Sequence, residues 1–579
     1  MSKTITRRSF SEALPLDLSH LPPLLQRIYT ARGVTSRSQL EHGLDRLLPY
    51  HDLLDIDKAV ACLFEAISYQ KNILIVGDFD VDGATSTAVA IRVLRSFGAK
   101  HVNFLVPNRF AFGYGLTPEL VVVAIEQFNP DLIITVDNGI SSHAGIATAR
   151  DAGIKVIVTD HHLAGDTLPL ADAIVNPNQP NDPFRSKSIA GVGVIFYVCL
   201  ALRRFLVDRN WFVEQSIPEP NMSHVLDLVA LGTVADVVAL DHNNRIMVSI
   251  GLRRIRAGQC APGIIALLDI ANRNPVSLVA ADLGFAVAPR LNAAGRLDDM
   301  SLGIECLLSD DISAARVMSK TLDQLNSDRR VIEADMQVDA LRFLKKLQLD
   351  DKALPMGICL FNEEWHQGVI GILASRIKER FNRPAIIFAP SSVTEIKGSA
   401  RSISRVHIRD VLADIATQYP NMMGKFGGHA MAAGLTLPRA AFPDFQAAFN
   451  EVLSRFLSEE DLNPVLFSDG ELHLAELTLE TAELLRASGP WGQAFPEPAF
   501  DGHFKIAEQR LLAEKHLKMV LLSDHNTLIE AIAFNVDLKQ WPNHRCETVH
   551  LVYRLDVNHF RDRKKVQLIV EHLEAISFS

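Results

Sequence analysis

Aspartate and histidine side chains stand directly after three short apolar runs in the first half of the sequence. Each run is rich in Ile, Val and Leu, which is the composition of a strand buried on both faces. The runs are residues 73–76, 132–136 and 156–159, and the polar groups after them are Asp78, Asp80 and Asp82, then Asp137, then Asp160, His161 and His162. Because ligands of an open parallel sheet gather beyond the carboxyl ends of its strands, these side chains are predicted to converge.

The types of these residues favour a hard divalent cation. Carboxylates with one or two imidazoles suit Mn²⁺ or Mg²⁺ better than structural zinc, which usually takes thiolates. A pair of such cations stabilises the attacking and the leaving oxygen of an in-line phosphoryl displacement and supplies hydroxide near neutral pH. This chemistry needs no serine or cysteine nucleophile, and the sequence contains no convincing triad. The pattern therefore predicts a metal-dependent hydrolase that uses two Mn²⁺ or Mg²⁺ ions.

The spacing of the first carboxylates suggests how they would be used. Asp80 and Asp82 are two residues apart in a predicted extended loop, so both could face one side of the chain and reach two nearby cations. Gly83 would then let the backbone turn into a helix whose N-terminus favours anions. Asp137 precedes the turn signal Asn138-Gly139 and is the candidate to bridge two cations.

The remaining candidates come from the third run and from a later apolar segment. His161 is expected to be the imidazole ligand, and His162 to face the scissile phosphate or the leaving group. Asp236 would complete the shell of the second cation. A single Asp at a strand end is most often a cap or a turn residue, so the prediction depends on all the groups together.

Composition restricts the class of protein. The chain has 579 residues, 48% of them apolar and 22% charged, which is ample for several globular domains. Its six cysteines are scattered without a Cys-x-x-Cys pair, and no apolar stretch is long enough to span a membrane. The start of the chain has no secretory signal pattern, so we expect a reducing cytoplasm. The net charge of −10 argues against nonspecific coating of duplex nucleic acid.

The order of apolar and helical patterns predicts an α/β protein of several domains. Strand-like and helix-like segments alternate early in the chain, which predicts a parallel sheet with helices on both faces. A stretch free of Gly and Pro predicts one long connecting helix, a second α/β unit follows it, and alternating segments near the end predict a small β-barrel. The expected domains are 1–45 as a lead-in, 46–310 with the parallel sheet, 311–349 as the helix, 350–457 as the second unit and 465–579 as the barrel.

Two further features could contact a polyanion. Residues 376–409 hold eight Lys or Arg against two Glu, which suits either a basic wall or an ordinary solvated face. In the predicted barrel, Tyr553 and Phe560 are candidates to stack on bases, although each is more often a core residue.

The motifs at residues 77–83, 136–141 and 159–162 resemble those of the DHH phosphoesterases. A longer series of segments resembles the RecJ family of single-stranded-DNA-specific 5′→3′ exonucleases within that superfamily, and it covers nearly the whole chain beyond the first ~45 residues. These segments are residues 107–109, 231–238, 289–296, 364–368, 398–402 and 425–434. The resemblance implies a DHH domain, a long linking helix, a DHHA1 domain and a C-terminal OB-fold.

The resemblance also implies roles for individual residues. The implied metal ligands are Asp80, Asp82, Asp137, His161 and Asp236, and the implied catalytic residues are His162, Asp137 and Asp78. The residues implied to hold DNA phosphates, including the 5′ end, are Arg109, Ser399, Arg401 and His429, with Arg290 and Arg296 supporting the same groove. Several DHH enzymes place a histidine four residues before the first Asp of the pair, where this chain has Val76, so Asp78 is expected to supply a ligand or one ion to bind weakly.

The resemblance further implies degradation of single-stranded DNA to mononucleotides in repair and recombination, with a helicase and a single-strand-binding protein as partners. We expect a monomer without membrane contact. Two alternatives remain. One is a phosphodiesterase or pyrophosphatase of the same superfamily acting on small substrates, which commonly lacks a C-terminal barrel. The other is an inactive scaffold, which would be expected to lose the carboxylates.

Overall fold

The computed structural model describes residues 3–9, 15–108, 112, 114–349, 354–522, 527–560 and 563–576, without the side chains of 346–349 and 559–560. The chain forms two compact units. The larger unit consists of Ile5–Ala288, Leu307–Ile312 and Val465–Ser579, and the smaller unit of Met1–Thr4, Pro289–Cys306 and Ser313–Pro464.

The first part of the larger unit alternates helices and strands and then becomes helical. Its strands are β1 (Thr4–Arg7), β2 (Ile73–Val76), β3 (Val102–Leu105), β4 (Leu132–Val136), β5 (Lys155–Thr159) and β6 (Ala173–Val175). Its helices are α1 (Pro23–Thr30), α2 (Ile56–Ser68), α3 (Val81–Ser96), α4 (Pro118–Phe128), α5 (His143–Asp151), α6 (Gly191–Val207), α7 (Trp211–Glu214), α8 (Leu226–Ala235), α9 (His242–Arg256), α10 (Pro262–Ile270) and α11 (Ala280–Asp282).

Five of these strands form a parallel sheet in the order β3-β2-β4-β5-β6. After β2 the next strand, β3, lies on one side of β2, and the strand after that, β4, lies on the other side. The direction in which strands are added to the sheet therefore reverses between β2 and β4. The carboxyl ends of β2, β4 and β5 are neighbours, since Val76 pairs with Thr135 and Val136 with Thr159. Ligands of open α/β sheets bind at such a reversal.

Both faces of this sheet are covered by helices. On one face Leu74 and Ile133 pack with side chains of α4 and α5, such as Leu120 and Ile146. Helix α3 contacts β2 and β4, and helix α6 contacts β4 and β5. The two helices also contact each other. The wholly buried β2 has the continuous apolar sequence that such a central strand requires.

The smaller unit contains a mixed five-stranded sheet in the order β10-β11-β9-β8-β7. Its strands are β7 (Ile358–Phe361), β8 (Ala385–Pro390), β9 (Glu395–Arg401), β10 (Phe426–Gly428) and β11 (Ala432–Pro438). Its helices are α12 (Ala288–Leu297), α13 (Ser301–Leu308), α14 (Ile312–Leu349), α15 (Ile370–Phe381), α16 (Ile408–Gln418) and α17 (Phe442–Phe456). The predicted long helix is present as the 38-residue α14.

The last part of the larger unit is a closed β-barrel in the order β13-β14-β15-β17-β16. Strand β12 (Val465–Ser468) pairs with β1, and helix α18 (Leu479–Ala487) precedes the barrel. The barrel strands are β13 (Phe500–Leu512), β14 (His516–Leu522), β15 (Leu528–Ala533), β16 (Thr548–Phe560) and β17 (Arg563–Ile576). These elements confirm the predicted fold class of a parallel sheet, a long helix, a second α/β sheet and a barrel.

Residues near the N-terminus are tied to the region before the barrel. Arg32 forms two hydrogen bonds with Asp469 at 2.8 and 2.9 Å, and Arg7 binds Asp501 at 2.7 Å. Residues 15–45, within the predicted lead-in, therefore belong to the larger unit. No helix in the described ranges is both long and apolar enough to cross a membrane.

His42 gives this region a pH-dependent stability. Burial lowers its pKa to about 4, and the charges of Arg245, His242 and Arg253 add to the decrease. The unfolded chain binds a proton at His42 below about pH 6.5, whereas the folded chain does so only near pH 4. The free energy of unfolding should therefore decrease as the pH falls from about 6.5 to about 4.

We expect His42→Asn to remove about 1–2 kcal/mol of the stability difference between pH 7 and pH 5, after allowance for partial exposure. Urea denaturation of both proteins at the two pH values measures this difference. His51→Asn is the matched control, because the His51 side chain is 70% exposed. An unchanged pH dependence in His42→Asn would show that His42 is not the group responsible.

Candidate active site

Asp78 and Asp80 follow β2, where the chain turns into α3. Asp80 is the N-cap of α3, and its Oδ1 accepts a hydrogen bond from Gly83 N at 3.1 Å. A Cβ at residue 83 would lie 2.6 Å from the backbone nitrogen of Asp78, so the close approach of helix and loop requires glycine. Both carboxylates are thereby held at the carboxyl end of the strand.

Asp82 lies in the first turn of α3, so the prediction that Asp80 and Asp82 share an extended loop is wrong. The capping bond of Asp80 starts the helix at Val81, and the two carboxylates belong to different groups of possible metal ligands. The buried Asp82 carboxylate accepts hydrogen bonds from Gly191 N at 2.6 Å and Val192 N at 2.9 Å, at the start of α6. Burial raises the pKa of Asp82 to about 7, and Asp80 adds to the increase, while the two amides oppose it.

Asp137 lies at the end of β4 in a left-handed conformation with φ 62°. Its backbone nitrogen donates to Thr159 O of β5 at 3.0 Å, which fixes the residue to the sheet. A Cβ at Gly191 would lie 2.6 Å from the Asp137 Cβ, so the start of α6 packs directly against this residue. Burial raises the pKa of Asp137 well above its ordinary value, and the carboxylates of Asp82 and Asp80 raise it further.

His161 lies among three carboxylates. Its Nε2 is 3.1 Å from Asp137 Oδ1, 3.5 Å from Asp236 Oδ2 and 3.9 Å from Asp82 Oδ2. Asp236 reaches this point from the C-cap of α8. Burial raises the pKa of Asp236 well above its ordinary value, with Asp82 and Asp80 as the next causes.

His162 is oriented by Asp160. Its Nδ1 is 2.7 Å from Asp160 Oδ1, and Asp160 also accepts hydrogen bonds from the backbone nitrogens of His161, His162 and Ile140. Burial lowers the pKa of His162, but the charge and hydrogen bond of Asp160 outweigh it and raise the pKa to about 10. Asp160 itself is buried, but the same contacts lower its pKa to about 2. Asp160 therefore favours the protonated form of the His162 imidazole.

The ligand atoms form three groups in which all atoms lie within 4.8 Å of one another. The groups are Asp78, Asp80 and Asp137; Asp82, His161 and Asp236; and Asp137, His161 and His162. Asp137 belongs to the first and third groups, and its Oδ1 lies 3.1 Å from Nε2 of His161, a member of the second group. Within the described residues, the buried oxygens Asp137 Oδ1 and Asp236 Oδ2 accept no hydrogen bond. Buried carboxylate oxygens left in this state fit divalent cations as their missing partners.

Val76 lies four residues before Asp80, at the position where several members of the family that the motifs resemble have a histidine. It is fully buried inside β2 and pairs with Leu105 and Thr135, so it offers no ligand. Asp78 lies within reach of the same space as Asp80 and Asp137. This placement is consistent with the expectation that Asp78 takes the place of the histidine.

Val237, which directly follows Asp236, has a strained backbone. Its φ is 60°, a left-handed conformation that a β-branched residue adopts with difficulty, and the residue is 63% exposed. We expect Val237→Gly to increase the free energy of unfolding by about 1 kcal/mol, because strain is relieved and little packing is lost. Urea denaturation would measure the increase.

The control for this change is Val213→Gly. Val213 is similarly exposed but lies in the helix α7, where glycine should lower stability by about 0.5–1 kcal/mol. Equal destabilisation by both substitutions would contradict the assignment of strain to Val237.

The second set of predicted residues lies in the smaller unit, at the start of α15. A Cβ at Gly371 would be 3.0 Å from both Arg401 Nη2 and Ser399 Oγ, and Arg401 Nη1 donates to Ser399 Oγ at 3.1 Å. Arg296 of α12 donates to Gly368 O at 3.1 Å, just before the same helix. We call Arg296, Ser399, Arg401 and the first turn of α15 the α15 corner.

The α15 corner has an excess of positive charge. Burial lowers the pKa of Arg401, and no carboxylate pairs with it in the part of the chain that the structure describes. The backbone amides at a helix N-terminus add partial positive charge. His429 follows β10, and its backbone nitrogen donates to Ala432 O, whose residue pairs with Arg401. The corner is therefore suited to an anion.

Four other residues were predicted to contact DNA. Arg290 lies on α12 like Arg296, but its Nε is 2.8 Å from Asp323 Oδ1 of α14. Arg109 lies outside the described residues, and so does the side chain of Phe560. Tyr553 is 1% exposed and packs on Phe500 and Phe504, so the prediction that it stacks on bases is wrong.

The basic segment at residues 376–409 is not one free basic wall. Arg376 binds Glu333 at 2.9 Å, Arg405 binds Asp461 at 2.8 Å, and Arg383 is buried near Glu459. These arginines hold helices and loops together within the smaller unit. Arg401 differs from them, because no carboxylate of the described residues pairs with it.

Tyr114 is a residue of the site that the sequence analysis missed. Its hydroxyl donates to the backbone oxygen of Asp137 at 3.2 Å and lies 3.2 and 3.3 Å from the two ring nitrogens of His162. The amides of Gly191 and Val192 were also missed. Neither an isolated tyrosine nor the start of an apolar helix carries a sequence signal for such contacts.

Comparison with known protein families agrees with this architecture. Residues 72–233 match the DHH family, N-terminal domain, residues 354–455 the DHHA1 domain, and residues 468–572 the RecJ OB domain. The sheet, the acidic cluster and these three domains together define a DHH-family protein.

Similar proteins extend over the whole chain. The single-stranded-DNA-specific exonuclease RecJ of Escherichia coli (strain K12) is 54% identical over 570 residues, which cover 98% of each chain. The protein of the same name from Bacillus subtilis (strain 168) is 32% identical, and the match covers 95% of this chain and 68% of that one. The chain belongs to the RecJ family.

A solved structure supports the same assignment. The crystal structure of RecJ in complex with Mn²⁺ from Thermus thermophilus matches 99% of this chain and 80% of that chain, with a TM-score of 0.80 at 29% identity. A structure of the same protein in complex with Mg²⁺ has a TM-score of 0.75 at 26% identity.

Proposed function

We propose that this protein is a metal-dependent exonuclease that degrades single-stranded DNA from the 5′ end to mononucleotides. The observation that carries the proposal is the convergence of five carboxylates and two imidazoles at the carboxyl ends of β2, β4 and β5. Membership of the RecJ family supports the substrate, because its named members are single-stranded-DNA-specific exonucleases.

The acidic cluster would hold two Mn²⁺ or Mg²⁺ ions. Asp78, Asp80 and Asp137 would bind one ion, and Asp82, His161 and Asp236 the other, with Asp137 shared between them. When bound, such ions polarise the scissile phosphate and lower the pKa of water. The relative from Thermus thermophilus was solved with Mn²⁺ and with Mg²⁺, which supports both as candidates.

His162 is the group on this chain that would give a proton to the leaving oxygen. Its Nδ1 faces Asp160, and Nε2 is the nitrogen proposed to act on a substrate. Asp160 keeps the imidazole protonated and oriented, as a general acid requires. Asp137 is proposed to act as the carboxylate that the two ions share. It would not need to donate or accept a proton.

The α15 corner would bind a phosphate of the strand, including the one at the 5′ end. Arg401, Ser399 and the amides of α15 supply charge and hydrogen-bond donors for a phosphate. His429, Arg296 and Arg109 are proposed to add to the same grip, and Arg290 to support it through its helix. The barrel of β13–β17 would hold the strand further from the end by stacking and phosphate contacts.

The two alternative functions leave either the C-terminal barrel or the acidic cluster without a role. A phosphodiesterase or pyrophosphatase for small substrates has no evident use for a C-terminal barrel. An inactive scaffold would not need all five carboxylates of the cluster, and all five are present. They are Asp78, Asp80, Asp82, Asp137 and Asp236. On the resemblance we also propose a cytoplasmic monomer that works in repair and recombination, with a helicase and a single-strand-binding protein. We propose the domain bounds 46–310, 311–349, 350–457 and 465–579.

The test is digestion of 5′-labelled and 3′-labelled single strands with Mn²⁺ or Mg²⁺, beside matched blunt duplex. We expect early release of mononucleotide from the 5′ label, with duplex spared and with no reaction in EDTA. Asp236→Asn should be inactive under the same conditions. Hydrolysis of dinucleotides without cleavage of long strands would contradict the proposal in favour of a small-substrate enzyme. No hydrolysis of either would favour the scaffold.

A further inference from the structure

Tyr114 is a partly exposed side chain in contact with the proposed acid. It lies between β3 and α4, and 48% of its surface is accessible to solvent. Its ring is edge-on to Phe79, with centroids 6.1 Å apart, and to His162, with centroids 5.7 Å apart. A tyrosine this exposed contributes little to a core, so its place beside His162 calls for another explanation.

The hydroxyl of Tyr114 joins two parts of the site. It donates to the backbone oxygen of Asp137 at 3.2 Å, which anchors it to the end of β4. It is also 3.2 Å from His162 Nδ1 and 3.3 Å from His162 Nε2, so it lies at nearly equal distance from the two ring nitrogens. The imidazole and the backbone of Asp137 are therefore connected through one oxygen atom.

Several groups surround the His162 ring. Its Nδ1 is 2.7 Å from Asp160 Oδ1, and its centroid is 4.5 Å from that of the His161 ring. The Tyr114 hydroxyl adds a polar contact that ties the ring to the end of β4. Small misplacement of a reacting group has a large effect on rate.

We propose that Tyr114 is a positioning residue that fixes the His162 ring relative to Asp137, so that Nε2 meets the leaving oxygen. This inference rests on the proposed function, in which His162 gives the proton. Tyr114 acts through His162 and neither holds a cation nor transfers the proton.

Tyr114→Phe tests the inference, because it removes the hydroxyl and keeps the ring. We expect kcat on single-stranded DNA to fall about tenfold, the loss that one hydrogen bond can produce, with KM changed less than about twofold. Tyr69→Phe is the matched control, since Tyr69 is 76% exposed at the end of α2, and it should leave both constants unchanged.

The double variant separates positioning from general damage. In a His162→Ala background, Tyr114→Phe should have no further effect on kcat, because the ring it positions is absent. A loss of about tenfold in both backgrounds would overturn the inference, and so would a kcat for Tyr114→Phe within about twofold of the original. If His162→Ala itself keeps the full kcat, the proposed role of His162 fails as well, and that result identifies which proposal is at fault.

A measurement without catalysis gives an independent check. In metal-free protein, the ring NMR signals of His162 can be assigned by their disappearance in His162→Ala. We expect these signals to shift or broaden in Tyr114→Phe and to remain unchanged in Tyr69→Phe. Unchanged His162 signals in Tyr114→Phe would overturn the inference even if the enzyme were slower.

Discussion

Asp137→Asn should abolish strand cleavage and yet make the metal-free protein more stable. Asp137 is grouped with Asp78 and Asp80, and its Oδ1 is 3.1 Å from His161 of the other group, so its loss would remove the ligand that the two ions are proposed to share. We expect at least about a 10³-fold decrease in kcat, which corresponds to several kcal/mol of lost transition-state stabilisation. Rates on labelled single strands with Mn²⁺ measure this effect.

The gain in stability has a separate cause. Without cations, burial of the Asp137 carboxylate opposes folding, and the neighbouring carboxylates of Asp82, Asp80 and Asp78 add to this cost. An uncharged amide of the same size should raise the free energy of unfolding in EDTA by on the order of 1–2 kcal/mol. Asparagine also tolerates the positive φ of this position.

Thermal denaturation with and without Mn²⁺ completes the test. Mn²⁺ should stabilise the original protein and have a much smaller effect on Asp137→Asn. Asp131→Asn is the control at the opposite end of β4, where the carboxylate accepts a hydrogen bond from Asn72 N at 2.8 Å. It should keep activity and lose a little stability. Lower stability of Asp137→Asn in EDTA would contradict the picture of a repulsive metal-free cluster.

Arg401→Gln should weaken recognition of the 5′ phosphate. The guanidinium is partly buried beside Ser399 and the start of α15, and no carboxylate of the described residues pairs with it, so an anion is its natural counter-charge. Loss of one partner of a buried charged pair costs about 2–5 kcal/mol, and the lower part of that range is about a 100-fold decrease in kcat/KM. We expect this decrease for 5′-phosphorylated strands and a much smaller one for strands ending in a 5′ hydroxyl.

The matched control for this change is Arg405→Gln. Arg405 is four residues away and already paired with Asp461 at 2.8 Å, so its loss should not alter the preference for a 5′ phosphate. Thermal denaturation should show Arg401→Gln to be at least as stable as the original protein, because a desolvated charge has been removed. An equal loss on both kinds of strand would mean that Arg401 does not bind the terminal phosphate.

The sequence was sufficient to predict the sheet and the convergence of its acidic residues. Central parallel strands are buried on both faces, so the runs at 73–76 and 132–136 are continuously apolar and coincide with β2 and β4. The polar residues after such runs are expected at the carboxyl edge of the sheet, and Asp80, Asp137 and His161 are found there.

Contacts between distant segments could not be predicted in this way. Asp82 meets the start of α6 more than a hundred residues later, and Arg296 meets Gly368 across 72 residues. Each contact depends on helix packing, which local patterns do not encode. Strand β13 was also missed, because a bulge between Ile506 and Glu508 interrupts its alternation of buried and exposed residues.

Gly191 contacts two of the carboxylates in the site, those of Asp82 and Asp137. Its amide holds the Asp82 carboxylate, and its bare Cα lies against Asp137. Asp82 is a proposed ligand of one ion and Asp137 the ligand proposed to be shared, so the start of α6 helps to set the distance between these two carboxylates. Asp82 and Asp137 follow β2 and β4 in the sequence. The residue that contacts both of them, Gly191, belongs to α6, which comes later in the chain. Changes in the loops after β2 and β4 are therefore tolerable only while the first residue of α6 keeps its place.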